Sequence, residues 1–299
     1  MKRMAQTELA WQSKVVLLAV LPIVAAGLVL QTHWWATQSP PVAIMNIGLS
    51  LLLGLVVLKL RAATLAGAGV GAAITASLMF STAVVPYTPW QTALVPVLAV
   101  SLLAHFATRL GRFKKERLGT AESRQGRSAS QVAANLGVAA LCSNELVQSW
   151  LMDHQWFARV TIVPMPMFAA PLAALAEAAA DTVSSEIGQV LGMKPRMVTT
   201  LRRVDAGTDG AISLAGTLAG AAAAGIVAAL GTHAVSGDAA MFWISCAGGI
   251  FGFVFDSFLG ATFEKFGWLN NDAINFLSTA SAAAFALGLM AVFTHPGGG

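Results

Sequence analysis

The chain has 299 residues, of which 56% are hydrophobic and only 11% charged, with a mean hydropathy of +0.70. A soluble domain carries roughly 25% charged residues, so this composition excludes a soluble protein and indicates an all-α, polytopic integral membrane protein. The formal charge of +4 comes from Lys and Arg gathered in loops, which signals topology rather than nucleic-acid binding.

A membrane helix needs about 20 predominantly apolar residues. Nine such segments follow one another: 15–31, 42–60, 64–85, 91–110, 129–150, 161–188, 210–231, 239–261 and 273–293. After its apolar core the first reads "GLVLQTHWW", which lacks a small-residue cleavage site, so it reads as an anchor rather than a signal peptide. The fifth is the most polar, with Gln131, Asn135, Asn144 and Glu145, and the sixth carries Pro164 and Pro166 near its start.

The loops alternate in charge. Lys2, Arg3 and Lys14 precede the first segment, and Lys59 and Arg61 follow the second. Arg109, Arg112, Lys114, Lys115, Arg117, Arg124 and Arg127 follow the fourth, Lys194, Arg196, Arg202 and Arg203 the sixth, and Lys265 the eighth. Only Arg159 falls on the other side. The positive-inside rule then sets the N-terminus in the cytoplasm and the C-terminus outside. The expected location is the bacterial inner (plasma) membrane, with loops 111–128, 189–209 and 262–272 cytoplasmic. Residues 1–299 read as a single transmembrane domain with no soluble domain.

Several features read as packing. Cys142 and Cys246 lie within apolar segments, and the five His residues show no metal-ligand spacing. Gly67-x-x-x-Gly71 and Gly216-x-x-x-Gly220 have the spacing that lets helix backbones approach. Trp34, Trp35, Trp90, Trp150, Trp156 and Trp268 sit near segment ends, as in an aromatic belt.

The polar residues gather at the expected cytoplasmic ends, in four groups. In "ALAEAAADTVSSEIGQ", residues 174–189, a continuing helix puts Glu177, Asp181, Ser185 and Gly188 on one face. Glu186 falls half a turn away and needs another neighbour. Carboxylates are costly at this depth, and a stripe of carboxylate, hydroxyl and glycine suits Mg²⁺ and an approaching phosphate. "RVDAGTDGAIS", residues 203–213, supplies Gly207, Thr208, Gly210 and Ser213 just before the seventh segment. It reads either as an anion-binding helix N-terminus flanked by Arg202 and Arg203 or as a capped turn. "FDSFLGATFEKFGWLNNDAIN", residues 255–275, contributes Asp256 near the end of the eighth segment and Asn270, Asn271, Asp272 and Asn275 at the start of the ninth, where an ordinary N-cap explains one of the four. "RSASQVAAN", residues 127–135, spaces Arg127, Gln131 and Asn135 as a polar stripe entering the membrane, for a ligand or for helix–helix hydrogen bonds.

Buried acids beside basic, glycine-rich loops are what Mg²⁺-assisted phosphoryl transfer requires. No G-K-[ST] P-loop, no H-R-D or D-F-G and no D-G-x-x-A-R phosphotransferase motif occurs. Instead "AEAAADTVSSEIG", "RVDAGTDGAISLAGT", "GGIFGFVFDSFLGATFE" and "LNNDAINFLST" resemble, in order and spacing, the motifs of the domain-of-unknown-function 92 integral membrane family. That family contains the plant and cyanobacterial phytyl-phosphate kinase. "GRSASQVAANLGVAAL" matches an upstream segment, and the resemblance covers residues 50–290, leaving 1–50 as an extra N-terminal span region. Asp181-Thr-Val-Ser-Ser185-Glu-Ile-Gly188 is similar to an Asp-x-x-x-Ser-x-x-Gly pattern of the related, CTP-using phytol and dolichol kinases. Ser184 and Glu264 stand where the family has Ala and Gln.

The resemblance implies an isoprenyl-phosphate kinase that moves a γ-phosphoryl group from CTP or another nucleoside triphosphate onto phytyl phosphate or a relative. With that role, Asp181, Asp256 and Glu186 are expected to be catalytic and to bind Mg²⁺. Ser185, Gly188, Arg202, Arg203, Gly207, Thr208, Gly210 and Ser213 are expected to hold the nucleotide, and Arg127, Gln131, Asn135, Asn271, Asp272 and Asn275 the acceptor. The partners are a lipid and a nucleotide, with no nucleic acid. The alternatives are an isoprenoid alcohol kinase, or an ion-coupled or divalent-cation transporter; an acid ladder continuing to the outer side would favour transport, and the one candidate there, Asp238, lies in a loop.

Overall fold

The computed structural model describes residues 10–153, 168–191 and 194–293. Arg159, Pro164 and Pro166 lie outside these residues. The helices are α1 (Ala10–Gln38), α2 (Pro40–Lys59), α3 (Leu65–Ser81), α4 (Leu94–Arg109), α5 (Arg112–Leu118), α6 (Ala129–Cys142), α7 (Glu145–Asp153), α8 (Ala169–Leu191), α9 (Leu214–Ala234), α10 (Ala239–Leu259) and α11 (Asn271–Phe293). A short antiparallel ribbon of β1 (Arg196–Met197) and β2 (Ala211–Ile212) precedes α9. A π-helical turn, Gly260–Glu264, ends α10.

The chain is an integral membrane protein, nearly all helical. Among the described residues five helices qualify as spans by length and composition, and a sixth if α4 and α5, which meet at a bend of 67°, are one. Nine apolar segments were expected, and each overlaps a helix. The shortfall has local causes. α3 and α6 are apolar but have only 17 and 14 residues, short of the roughly 20 a straight span needs. The fifth expected segment, 129–150, is broken at Ser143–Asn144 into α6 and α7. Asn144 turns its side chain back to the Ile23 carbonyl on α1 (3.2 Å) and to the Leu146 amide (2.9 Å), holding the break in place. α8 carries Glu177, Asp181 and Glu186.

α8 is the axis of the bundle. Its residues from Ala169 to Ala180 are all buried, and it packs against α4, α6, α9, α10 and α11. Its run of alanines makes this possible, because small side chains let neighbouring backbones come close where lipid supplies no hydrophobic push. Outward faces carry the large apolar groups instead, among them Leu18, Ile44, Leu51, Phe106, Leu218 and Trp243. The Gly216/Gly220 pair faces α8: a Cβ at Gly220 would lie 2.8 Å from the Ala180 carbonyl oxygen and 2.9 Å from Ser184 Cβ.

One end of the bundle is knitted together by long-range bonds. Arg109 reaches the Leu60 carbonyl (3.0 Å), and Lys114 reaches the Val190 carbonyl (2.7 Å). Residue 127 runs beside residue 63, with the Thr64 amide donating to the Arg127 carbonyl and the Arg127 amide to that of Ala62 (both 3.0 Å). The start of α1 joins the same end, as Gln12 Nε2 donates to the Trp268 carbonyl (2.8 Å) and Gln12 Oε1 accepts from the Asn270 amide (2.8 Å).

The close α8–α9 approach makes a paired prediction. Gly220→Leu overpacks the bundle and costs about 1–3 kcal/mol. Gly225→Leu on the same helix, where a Cβ has no neighbour within 4 Å, leaves stability unchanged. Thermal unfolding of the two variants in detergent checks the contrast.

Candidate active site

The site grows from the second half of α8. Asp181, Ser184, Ser185 and Gly188 recur at the helical repeat and so share a face, and that face lines a polar cavity of about 310 Å³. α10 adds Asp256 and Ser257, α11 adds Asn271 and Asn275, and α6 adds Gln131 and Asn135. The β1–β2 turn closes the cavity with Gly207, Thr208, Asp209 and Gly210.

The turn is shaped by glycine. Gly210 has φ +73°, and a Cβ there would meet the Ala261 backbone nitrogen at 2.3 Å, so the turn and the π-helical turn after α10 touch backbone to backbone. Ser213 caps α9, its hydroxyl accepting from the Gly216 amide (3.1 Å). The structure thus has both features weighed for this stretch, a capped turn and a glycine-bearing wall of the cavity.

The expected residues converge, with Arg202, Arg203 and Asp272 as exceptions. Arg202 and Arg203 are exposed on the outer turn of the ribbon, where the Arg202 carbonyl accepts from the Met197 amide (2.9 Å). Asp272 accepts from Ser13 on α1 (2.6 Å). The four polar residues around the start of α11 divide their roles. Asn270 Oδ1 caps the helix by accepting from the Ala273 amide (2.9 Å), Asp272 anchors α1, and Asn271 and Asn275 face the cavity.

Arg127 departs from the expected helical stripe. α6 begins at Ala129 with Ser128 as its cap, and Gln131 completes a capping box: its amide bonds the Ser128 hydroxyl and its side-chain oxygen the Ser128 amide. Arg127 therefore precedes the helix. Its guanidinium still reaches the site, 3.2 Å from Thr182 Oγ1, the residue next to Asp181. Asn135 and Asn275 meet across the cavity at 3.5 Å.

Glu186 lies in the cavity wall, but its carboxylate pairs with Lys115 at 2.6 Å. Lys115 is 1% exposed and donates also to the Ala107 and Thr108 carbonyls at 2.9 and 2.8 Å. An ammonium has three protons, so these bonds satisfy it fully. One lysine closes the end of α4, holds α5 across the bend and docks both onto α8. Within the basic run of residues 112–117 nothing marked it out. The identifying signal is the single half-turn offset of Glu186.

Glu177 was also left out of the expected catalytic set. It lies one turn deeper than Asp181, fully buried, with Oε1 lacking a hydrogen-bond partner. Asp256 Oδ2 is in the same condition. Glu177, Asp181 and Asp256 act on one another electrostatically, and Arg127 is the cation that acts on Asp181. Among the described residues no three His, Cys, Asp or Glu side chains converge as a metal cage. Mg²⁺ does not need one, since it is commonly bound by one or two carboxylates, substrate phosphates and water. The Asp181–Asp256 pair, with an unpartnered carboxylate oxygen, fits that donor set.

Comparison with known proteins follows the same residues. The family model described as "Integral membrane protein DUF92" matches residues 48–283. The chain belongs to this DUF92 family. A Synechocystis relative, the uncharacterized membrane protein sll0875, is 33% identical over 68% of this chain and 75% of its own length. A Methanocaldococcus jannaschii relative, the uncharacterized membrane protein MJ0933, is 43% identical over 36% of this chain and 45% of its own length. The chloroplastic protein VTE6 of Arabidopsis thaliana is 29% identical over 64% of this chain and 56% of its own length. No solved structure matches. In this DUF92 protein α1 precedes the matched region, yet its Ser13 holds Asp272 within it.

Lys115→Met removes one partner of a buried pair and costs about 3–5 kcal/mol. Replacing Glu186 by Leu as well recovers most of that loss. Unfolding of the single and double variants measures both.

Proposed function

We propose that this protein is a membrane lipid kinase that transfers the γ-phosphoryl group of CTP or another nucleoside triphosphate to an isoprenyl monophosphate such as phytyl phosphate. The observation that carries this reading is the single polar cavity in which Asp181, Asp256, a glycine-bearing turn and Arg127 meet at one end of a membrane bundle. Membership of the DUF92 family and the resemblance of the motifs to its phytyl-phosphate kinase support the same reading. In this account the basic end of the bundle faces the cytoplasm, as the positive-inside rule requires, with the N-terminus in and the C-terminus out.

In the reaction an oxygen of the acceptor phosphate bonds to the γ-phosphorus, the bond from γ-phosphorus to the β–γ bridging oxygen breaks, and a nucleoside diphosphate leaves. The acceptor is already an anion, so no strong general base is required. Arg127, fixed against Thr182, orients the acceptor phosphate, with Gln131, Asn135, Asn271 and Asn275 around it. Ser185 and Gly188 leave the α8 face open to phosphate, and the Gly207–Gly210 turn presents backbone to the nucleotide. Mg²⁺ held by Asp181 and Asp256 would neutralise charge on the phosphates in flight. Glu186, held by Lys115, fixes the end of α8 in this scheme, outside the metal pair.

The test is turnover by purified protein with γ-labelled nucleotides, Mg²⁺, and phytyl phosphate, geranylgeranyl phosphate or phytol as acceptor. Label in an isoprenyl diphosphate is expected, and Asp181→Asn lowers the rate by about 10²–10³-fold or more, the scale of losing one transition-state charge contact, while the variant still folds. Label in phytyl monophosphate alone would make the protein an alcohol kinase. No transfer to any acceptor by folded protein sinks the kinase reading.

A further inference from the structure

A second cavity of about 490 Å³ lies beside the polar one, between α2, α3, α4 and α6. It exists because α4 and α2 flank α3 without packing against each other along their lengths. Only their ends are tied, by the bond from Arg109 to the Leu60 carbonyl. Its walls are mainly apolar, with Leu53, Val57, Ala72, Val97, Val100 and Ala104 among them. Its polar rim is mainly basic, with Arg61, Arg109, Arg112, Arg124 and Arg127 against one acid, Glu122, although Arg112 and Arg124 share Glu116.

The two cavities share residues. Glu122, Arg127 and Asn135 line both. Ala178 lines the apolar one and Asp181, less than a turn further along α8, the polar one. An apolar bed with a cationic rim that opens onto a phosphate-sized polar cavity matches a lipid with an anionic head and a hydrocarbon tail. Inside a helix bundle, neutral small molecules have no use for such a rim.

We propose that this cavity is the bed of the acceptor's isoprenoid tail and that its volume selects the tail's length. An apolar cavity of about 150 Å³ takes a six-carbon ring, so the same packing admits on the order of twenty carbons here. The inference rests on the kinase reading for its substrate class, but the location of the tail is testable without turnover.

The experiment uses the full chain in lipid nanodiscs and geranylgeranyl monophosphate carrying a diazirine at the tail end. Illumination is expected to label residues of α3 and α4 that line the cavity, and unlabelled geranylgeranyl phosphate to compete. Labelling confined to lipid-facing surfaces, or labelling that ordinary phospholipid suppresses equally, overturns the tail bed. Turnover gives a second readout. A Cβ at Gly71 meets only Val132 Cγ1, at 3.7 Å, so the first atom of Gly71→Phe fits and its ring enters the cavity. The ratio of kcat/KM for geranylgeranyl phosphate over geranyl phosphate is expected to fall about tenfold or more in that variant, since each methylene in an apolar pocket counts for much. An unchanged ratio in folded protein contradicts length selection. Cavity labelling without any transfer by the wild type leaves the tail bed standing and removes the kinase reading, so the two fail separately.

Discussion

Three carboxylates act on one another inside a membrane helix bundle: Glu177, fully buried, and Asp181 and Asp256, half-buried beside the polar cavity. Like charges in a poorly solvated place repel, and each unpaired ion is expensive. A bundle tolerates such a cluster only where counter-charge arrives from protein or from ligand. Here Arg127 is the protein's contribution, and Asp256, which has an oxygen without a hydrogen-bond partner, lines the cavity where a ligand's would arrive. Much of the architecture serves to bring these groups together. The alanine-rich α8 lets five neighbouring helices approach, glycines on α9 and α10 admit it, and the Lys115–Glu186 pair fixes its end.

The same constraint separates an enzyme from a conduit. A transport path needs polar groups spaced through the membrane. Asp238, the one candidate acid for such a path on the far side, caps α10 by accepting from the Met241 amide (2.9 Å). The carboxylates of the cavity stay at one end, next to the basic segments and the glycine turn. That distribution suits phosphate chemistry at a membrane surface, with an apolar cavity alongside for the part of the substrate that belongs in lipid.

Much of the site was legible because its residues violate local expectation. Carboxylates in an alanine run, or four polar residues where one cap suffices, have no local use and so announce a tertiary one. The sequence was less informative where a residue's role depends on a partner far along the chain. Lys115 looks like any member of a basic loop until the 67° bend returns it to α4 and α8. Asp272 reads as a site residue, but Ser13, some 259 positions away, claims it. Arg202 and Arg203 sit at the right distance in sequence, yet the ribbon turns them outward. Helix count suffers similarly, since α3 and α6 are apolar on average and only their ends, set by Thr64 and Ser128 caps, show how short they are. The apolar cavity left no trace in the sequence, because a gap between helices is a property of packing alone.

The proposed chemistry depends on Asp181 and Asp256 jointly holding a divalent cation that carries phosphate. Mn²⁺ is a paramagnetic substitute for Mg²⁺, and its binding can be read by electron paramagnetic resonance on purified protein with a non-hydrolysable nucleotide. The account predicts saturable Mn²⁺ binding that Mg²⁺ displaces and that either Asp181→Asn or Asp256→Asn abolishes. Binding of equal strength in both folded variants, or none in the wild type, would contradict it.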